Sequence, residues 1–389
     1  MITSCENACE EEPSRQCFVS GEQRANEQPG LAAMHTLWFR EHNRLAGQLE
    51  SMNPHWDGER VFQESRRILI GQWQHIIYNE WLPILLGQNY MRVFDLFPTT
   101  AEFTDNYDED IDPRINNEFS TAAFRFVQHL NMDSQIDDFF IFRFGHSMIP
   151  NHLANRDKNY KDRQQFTLDK VFFNSSVFNG DASFMENTLR GQITEPANAF
   201  DGGFNEAFKT ALFNEELDLL SLNIQRGREH GLAGYNKYRE VCASLSGYEA
   251  VNNFDQLTND GYLTPGDVGK LEKVYKDVDD IDLFVGGMLE KSEGDALVGP
   301  VFKCIIGDQF IRLKEGDRFW YENDDPQTRF TRNQLVSIKQ TSMARIVCDN
   351  SDMTEIQPVV FRTETDINRI TSCDNIISIP ELDLEPWRE

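Results

Sequence analysis

The chain has 389 residues, 40% hydrophobic and 12% aromatic, enough to bury at least one large core. Its 64 acidic against 37 basic residues leave a formal charge of −27, which argues against nucleic acid as a partner, because phosphate binding needs clustered cations. No apolar run approaches the ~20 residues that span a bilayer, so membrane insertion is not expected.

The N-terminal MITSCENACEEE lacks both the basic start and the apolar stretch of a secretory signal. The chain therefore reads either as cytosolic or as starting away from its natural beginning. Next, Gly21-Glu-Gln-Arg-Ala-Asn-Glu27 sets a guanidinium, Arg24, and a carboxylate, Glu27, three residues apart, on one face if helical. Taken singly, such a pair is more often a surface ion pair than a site. Leu31, Met34, Leu37, Trp38, Leu45 and Leu49 then recur at helical spacing, and Val61, Phe62, Ile68, Leu69, Trp73, Ile76 and Ile77 continue it through Glu59 to Leu86. His35 and His42, seven apart, do not have metal-ligand spacing and read as packing or capping residues.

From Ala122 to Pro150 the tripeptide Phe-Arg-Phe occurs twice, at 124–126 and at 142–144. Only the second copy runs into Gly145-His146. His146, on an apolar segment after a small residue, is a plausible axial ligand for a planar cofactor. The competing reading is a buried histidine with a satisfied hydrogen bond. Asn174-Ser-Ser176 is one glycosylation sequon, weak support for secretion.

Asn223-Ile-Gln-Arg-Gly-Arg-Glu-His-Gly231 combines an amide, two guanidiniums and helix-terminating glycines, a set suited to holding a histidine's outer nitrogen and pairing with acidic groups. It also reads as a polar helix end, with His230 structural. Gly261–Gly266 and Glu322–Arg332 look like surface loops, and Phe361–Pro386 like an irregular tail held by a disulfide. Period-2 alternation is scarce and no long repeat occurs, so the expectation is one continuous, mainly α domain with little β over residues 1–389. Seven cysteines without a CxxC pair fit disulfides better than structural zinc.

GEQRANEQPGLAAMHTLWFREHNRLA (21–46), NPHWDGERVFQESRRI (53–68), FRFGHSMI (142–149), LNIQRGREHGLAGYN (222–236), CIIGDQFIRLKEGDRFWYEN (304–323) and SMARIVCDN (342–350) together closely resemble the animal haem peroxidase family. The resemblance implies an animal haem peroxidase-like helical domain carrying haem b. His146 matches the ligand to its iron, Asn223 the acceptor from that histidine's outer nitrogen, and Arg143 the partner of a haem propionate. Arg24 matches the distal arginine that stabilises developing anionic charge, and Glu27 the carboxylate that forms an ester to haem. Gln28 stands where some members carry a methionine that makes a further covalent link, so that bond is not expected.

The resemblance also implies pairs Cys242–Cys304 and Cys348–Cys373, with Cys17 joining Cys5 or Cys9, and an extracellular, oxidising location. The implied reaction uses hydrogen peroxide to oxidise halides or phenolic and tyrosyl donors. The sequence corresponds to the C-terminal two-thirds of the family domain and contains no Asp-His dipeptide, the family's source of the distal base and a calcium ligand. Impaired turnover and a missing calcium site are therefore expected. A catalytically inactive haem-binding protein, or an extracellular adhesion or matrix-associated protein, is the alternative.

The family runs Ala-Ala-Phe-Arg-Phe-Gly-His without interruption, whereas here residues 127–144 intervene. One continuous helix would carry His146 about 27 Å from its place. The expectation is that the first helix stops near Asn131–Ser134, that a second restarts, and that Phe142-Arg-Phe144 replaces the first copy in the pocket. Phe140 and Ile141 would then stand where Ala122 and Ala123 stand in the first copy, an overpacking that commonly costs about 1–3 kcal/mol.

Overall fold

The computed structural model describes residues 18–100, 102–128, 152–167, 170–174, 183–195, 206–210, 217–247 and 249–389. Arg143 and His146 lie outside these residues, as do Cys5, Cys9 and Cys17. Helices dominate, as the spacing predicts. The longest are α1 (Pro29–Met52) and α2 (Gly58–Ile76), which pack side by side. Gln28 caps α1 by accepting the Gly30 N–H at 2.6 Å, and Pro29 at the first position lacks a donor that would go unused there. Asp57 caps α2 in the same manner through the Arg60 N–H.

Beyond α2 the helix widens into a π turn, Ile77–Trp81, before resuming as α3 (Leu82–Leu86). The wide turn sets Glu80 against the start of a distant helix, where its Oε1 accepts the Met343 N–H at 3.0 Å. Its Oε2 is buried without a hydrogen-bond partner, and burial pushes the carboxyl up to about 8. A carboxyl raised in the fold stabilises most fully below its unfolded value near 4.5, and that contribution is lost as pH rises through about 8. Glu80→Gln removes the titration, so the stability gap between wild type and variant should shift in the variant's favour from pH 5 to pH 8. Urea midpoints at the two pH values check this, and a constant gap would refute it.

The remaining elements used below are α4 (Phe184–Thr194), α5 (Leu219–Glu229), α6 (Tyr235–Ser246), α7 (Leu283–Leu289), α8 (Pro300–Glu315), α9 (Arg332–Ile338) and α10 (Met343–Asn350). Leu45, Leu49, Ile68, Phe302, Ile306, Leu335 and Ile346 are fully buried in the core these helices share. Glu41, wholly buried on α1, ties three helices together: it pairs with Arg44 and accepts from Gln72 of α2 and Asn350 of α10. Gly287 of α7 is needed for close approach, since a Cβ there would sit 2.1 Å from the Phe302 ring.

Among the described residues strand is confined to two small antiparallel pairs. One, β1 (His152–Arg156) with β2 (Asp162–Thr167), is a hairpin lying on α4. A Cβ on Gly191 of α4 would meet the Ala154 carbonyl at 1.9 Å, so this packing also depends on a bare backbone.

Both disulfides implied for described residues are present, Cys242–Cys304 joining α6 to α8 and Cys348–Cys373 holding the C-terminal tail to α10. The expectation of a surface loop from Glu322 fails at its first residues. Glu322 and Asn323 are buried, because Glu322 pairs with the equally buried Lys339. His230 caps α5 and its Nδ1 lies 2.8 Å from the Asn117 amide oxygen, a structural role as read from the sequence.

Candidate functional site

An apolar cleft of about 640 Å³ opens between α1 and α2, floored by Trp81, Phe124, Phe310 and Met343. Its volume falls in the range that holds small molecules and cofactors. Met34 and Trp38 project from α1 and Ile70, Trp73 and Ile77 from α2, and Trp38 meets Trp73 edge-on at 4.7 Å. The helical spacing that marks these residues as core thus also builds the cleft wall.

The first Phe-Arg-Phe copy lies at the edge of this cleft. It forms a short 3₁₀ stretch, Ala123–Gln128, in which Phe124 stacks on Phe119 at 4.6 Å and faces Trp81. The adjacent Arg125 donates from Nη1 to Asn223 Oδ1 at 3.0 Å and from Nε to the Ser120 carbonyl at 3.1 Å. Asn223 is buried on α5, whose start is fixed by Asp218 accepting from the Leu220 and Ser221 N–H groups. Its end is fixed by Gly231 at φ +69, a conformation glycine adopts without strain.

The expectation that Phe142-Arg-Phe144 replaces the first copy falls on residues outside those described. Among the described residues Arg125 bonds Asn223, so a second copy seated here would need room for its own neighbours. Ala122 and Ala123 are both fully buried, so the place their methyl groups fill would have to admit Phe140 and Ile141.

Arg125 has no carboxylate partner among the described residues. Burial, together with the neighbouring Arg226, holds its guanidinium below the ordinary value. Two guanidiniums are therefore neighbours beside the buried Asn223 in a strongly acidic chain, an arrangement that fits an acidic ligand group.

Arg24 and Glu27 behave differently from each other. Glu27 is 5% exposed, and its N–H donates to the Arg24 carbonyl at 2.9 Å. Arg24 is 71% exposed at its side chain and forks onto Glu22, at 2.8 and 2.6 Å. That pairing draws Glu22 down to about 2 and raises Arg24. The structure brings Arg125 and Asn223 together and keeps Glu27 inside, while Arg24 points away to its neighbour. Gln28, at the position of the family's extra covalent link, is engaged as the cap of α1. Among the described residues no group of three or more His, Cys, Asp or Glu side chains is arranged to hold a metal. Sequence reasoning passed over Arg125, although the small pair Ala122-Ala123 before it was the available signal.

The helical architecture is that of a haem peroxidase domain, and comparison bears this out. The animal haem peroxidase family model matches in two overlapping stretches, residues 2–140 and 129–361, and the chain belongs to that family. The overlap falls within the duplicated segment. The chain is similar to "Peroxidase" of Drosophila melanogaster, 37% identical over 382 residues, covering 96% of this chain and 51% of the relative. It is likewise similar to the human peroxidasin homolog, 38% identical over 382 residues, covering 96% and 23%. Among solved structures it resembles peroxidase A of Dictyostelium discoideum, with a TM-score of 0.72 and 33% identity, covering 89% of this chain and 60% of that one. The chain spans about half the length, or less, of the curated relatives it matches.

Proposed function

We propose that this chain forms the haem-holding portion of a secreted, hydrogen peroxide-dependent peroxidase whose donors are halides or phenolic and tyrosyl groups. The observation that carries the reading is Arg125, which follows Phe124 of the cleft floor and bonds the buried Asn223, in a chain of this family. Haem, when bound, would supply the reduction of peroxide and the oxidising equivalents.

His146 would ligate the iron, with Asn223 accepting from its outer nitrogen and so strengthening it as a donor. Arg125 and Arg226 would pair with the haem's acidic groups, the role that the family pattern gives to Arg143. Glu27, already shielded from water, would be the ester-forming carboxylate. Arg24 would stabilise anionic charge as peroxide is cleaved. To do so it must leave Glu22, and an exposed ion pair of this kind contributes only about 0–1 kcal/mol.

Two disulfides support an extracellular setting. The second reading, haem binding without turnover, is favoured by one feature: Arg24 is exposed and held by Glu22.

Purified chain reconstituted with haem should show a Soret band that is lost in His146→Ala and kept in Arg24→Ala. Equal loss in both, or equal retention, would refute the assigned roles. Turnover of guaiacol by the same preparation separates the two readings.

A further inference from the structure

A second cleft, of about 600 Å³, runs along the other flank of α2, and Ile70 lines both clefts. Its walls are α2, through Arg66, Arg67 and Ile70, and the loop between α8 and α9, through Phe319, Trp320 and Phe330. Of the residues assigned to haem, neither Arg24, Glu27, Arg125, Asn223 nor Arg226 lines it. Two side chains of α2 fix where the loop lies. Gln74 accepts the Tyr321 N–H and donates to Asp317 Oδ2, both at 3.0 Å, and Arg67 donates to the Thr328 carbonyl at 2.6 Å. Arg67 also lies 4.0 Å over the Phe330 ring, and Asp317 Oδ1 accepts the Phe319 N–H at 2.8 Å. The walls are therefore held apart by their own bonds.

Two features of the cleft are left unused by the fold. Arg66 is exposed and has no hydrogen-bond or ion-pair partner among the described residues, although acids outnumber bases 64 to 37; Glu64, in the same cleft, lies 3.9 Å from Arg67 instead. Phe319 and Ile70 are large apolar side chains left 67% and 39% exposed. Either feature alone is ordinary on a protein surface. Together, on walls already fixed, they complement a ligand that carries both an aromatic ring and a negative charge: the ring gains apolar cover, and the guanidinium gains an acceptor. Glu64 and Asp317 also line the cleft, so a doubly charged anion would meet two carboxylates as well as two guanidiniums, and a single charge fits better. A carboxylate meets that condition, and its two oxygens match the guanidinium fork.

We propose that this cleft is a binding site for an aromatic monocarboxylate, with its ring against Ile70 and Phe319 and its carboxylate on Arg66. The volume lies within the range of small-molecule sites and admits one or two fused rings. The site needs no haem, so it stands apart from the peroxidase reading and adds a second ligand to the chain.

The test is isothermal titration of the haem-free full chain at neutral pH with three probes: 2-naphthoate; 2-naphthalenemethanol, which keeps the rings but not the charge; and acetate, which keeps the charge but not the rings. 2-Naphthoate should bind about tenfold more tightly than the alcohol, and acetate should give no measurable heat. Arg66→Gln, at an exposed position with no partner to lose, should bring 2-naphthoate down to the affinity of the alcohol and leave the alcohol unchanged. Phe319→Ala, also at an exposed position, should weaken both by about fivefold. Added salt should weaken 2-naphthoate and spare the alcohol. Undiminished 2-naphthoate binding in Arg66→Gln places the anion on another cation and overturns the site, as undiminished binding in Phe319→Ala does for the ring. Equal wild-type affinity for 2-naphthoate and the alcohol overturns the choice of a carboxylate. With no haem present, failure of this site and failure of the peroxidase reading are separate results.

Discussion

Lys339→Met is expected to lower the unfolding free energy by about 3–5 kcal/mol, the loss typical when one partner of a buried ion pair is removed. Glu322 and Lys339 are 0% and 5% exposed at their side chains, and the ammonium also reaches the Thr99 carbonyl at 2.7 Å. Without it, the Glu322 carboxylate keeps only neutral donors: the Thr99 N–H at 2.8 Å, the Thr99 hydroxyl at 2.9 Å and the Trp320 indole at 3.2 Å. These cannot offset the desolvation of a full charge. The double variant Lys339→Met, Glu322→Gln should recover most of the loss, because it removes the orphaned charge as well. Urea denaturation at pH 7 checks both statements; a single-variant loss under about 1 kcal/mol would mean that water reaches Glu322.

Replacing both Cys242 and Cys304 by alanine should cost about 4 kcal/mol, since the bond closes a sequence separation of 62 and its removal frees that loop in the unfolded chain. The Cys348–Cys373 bond spans 25 and should matter less, by about 0.8 kcal/mol on the same loop-entropy argument. Thermal unfolding of the two double variants gives the order directly. An inverted order would show that native strain or residual unfolded structure outweighs loop length.

Helices were the most legible part of the fold, because Leu31 through Leu49 and Val61 through Ile77 each repeat one apolar face over about five turns. The β1–β2 hairpin was not legible. Its strands, HLANR and DRQQFT, are mostly polar, and what settles them is the bare backbone of Gly191 on a helix far along the chain. Glu322 misled for a related reason: an acidic residue in a polar stretch reads as solvated unless its cation, 17 residues on, is known to fold back over it. At the candidate site the sequence singled out Glu27 and Asn223, and both side chains are buried, but it did not single out Arg125, which bonds Asn223. Phe-Arg-Phe is identical in both copies, so the tripeptide alone could not single out Arg125, which follows the buried Ala122 and Ala123.

The π turn at Ile77–Trp81 acts as a spacer between two otherwise regular helices. Removing a single residue from it would tighten the turn to ordinary α geometry and rotate one flank against the other by about 100°. Trp81 would leave Phe310, Glu80 would leave the Met343 amide, and Tyr78 could no longer touch Trp320. Sequence length within those five positions is therefore less free to drift than side-chain identity, and insertions or deletions should be tolerated on either side of the turn sooner than inside it.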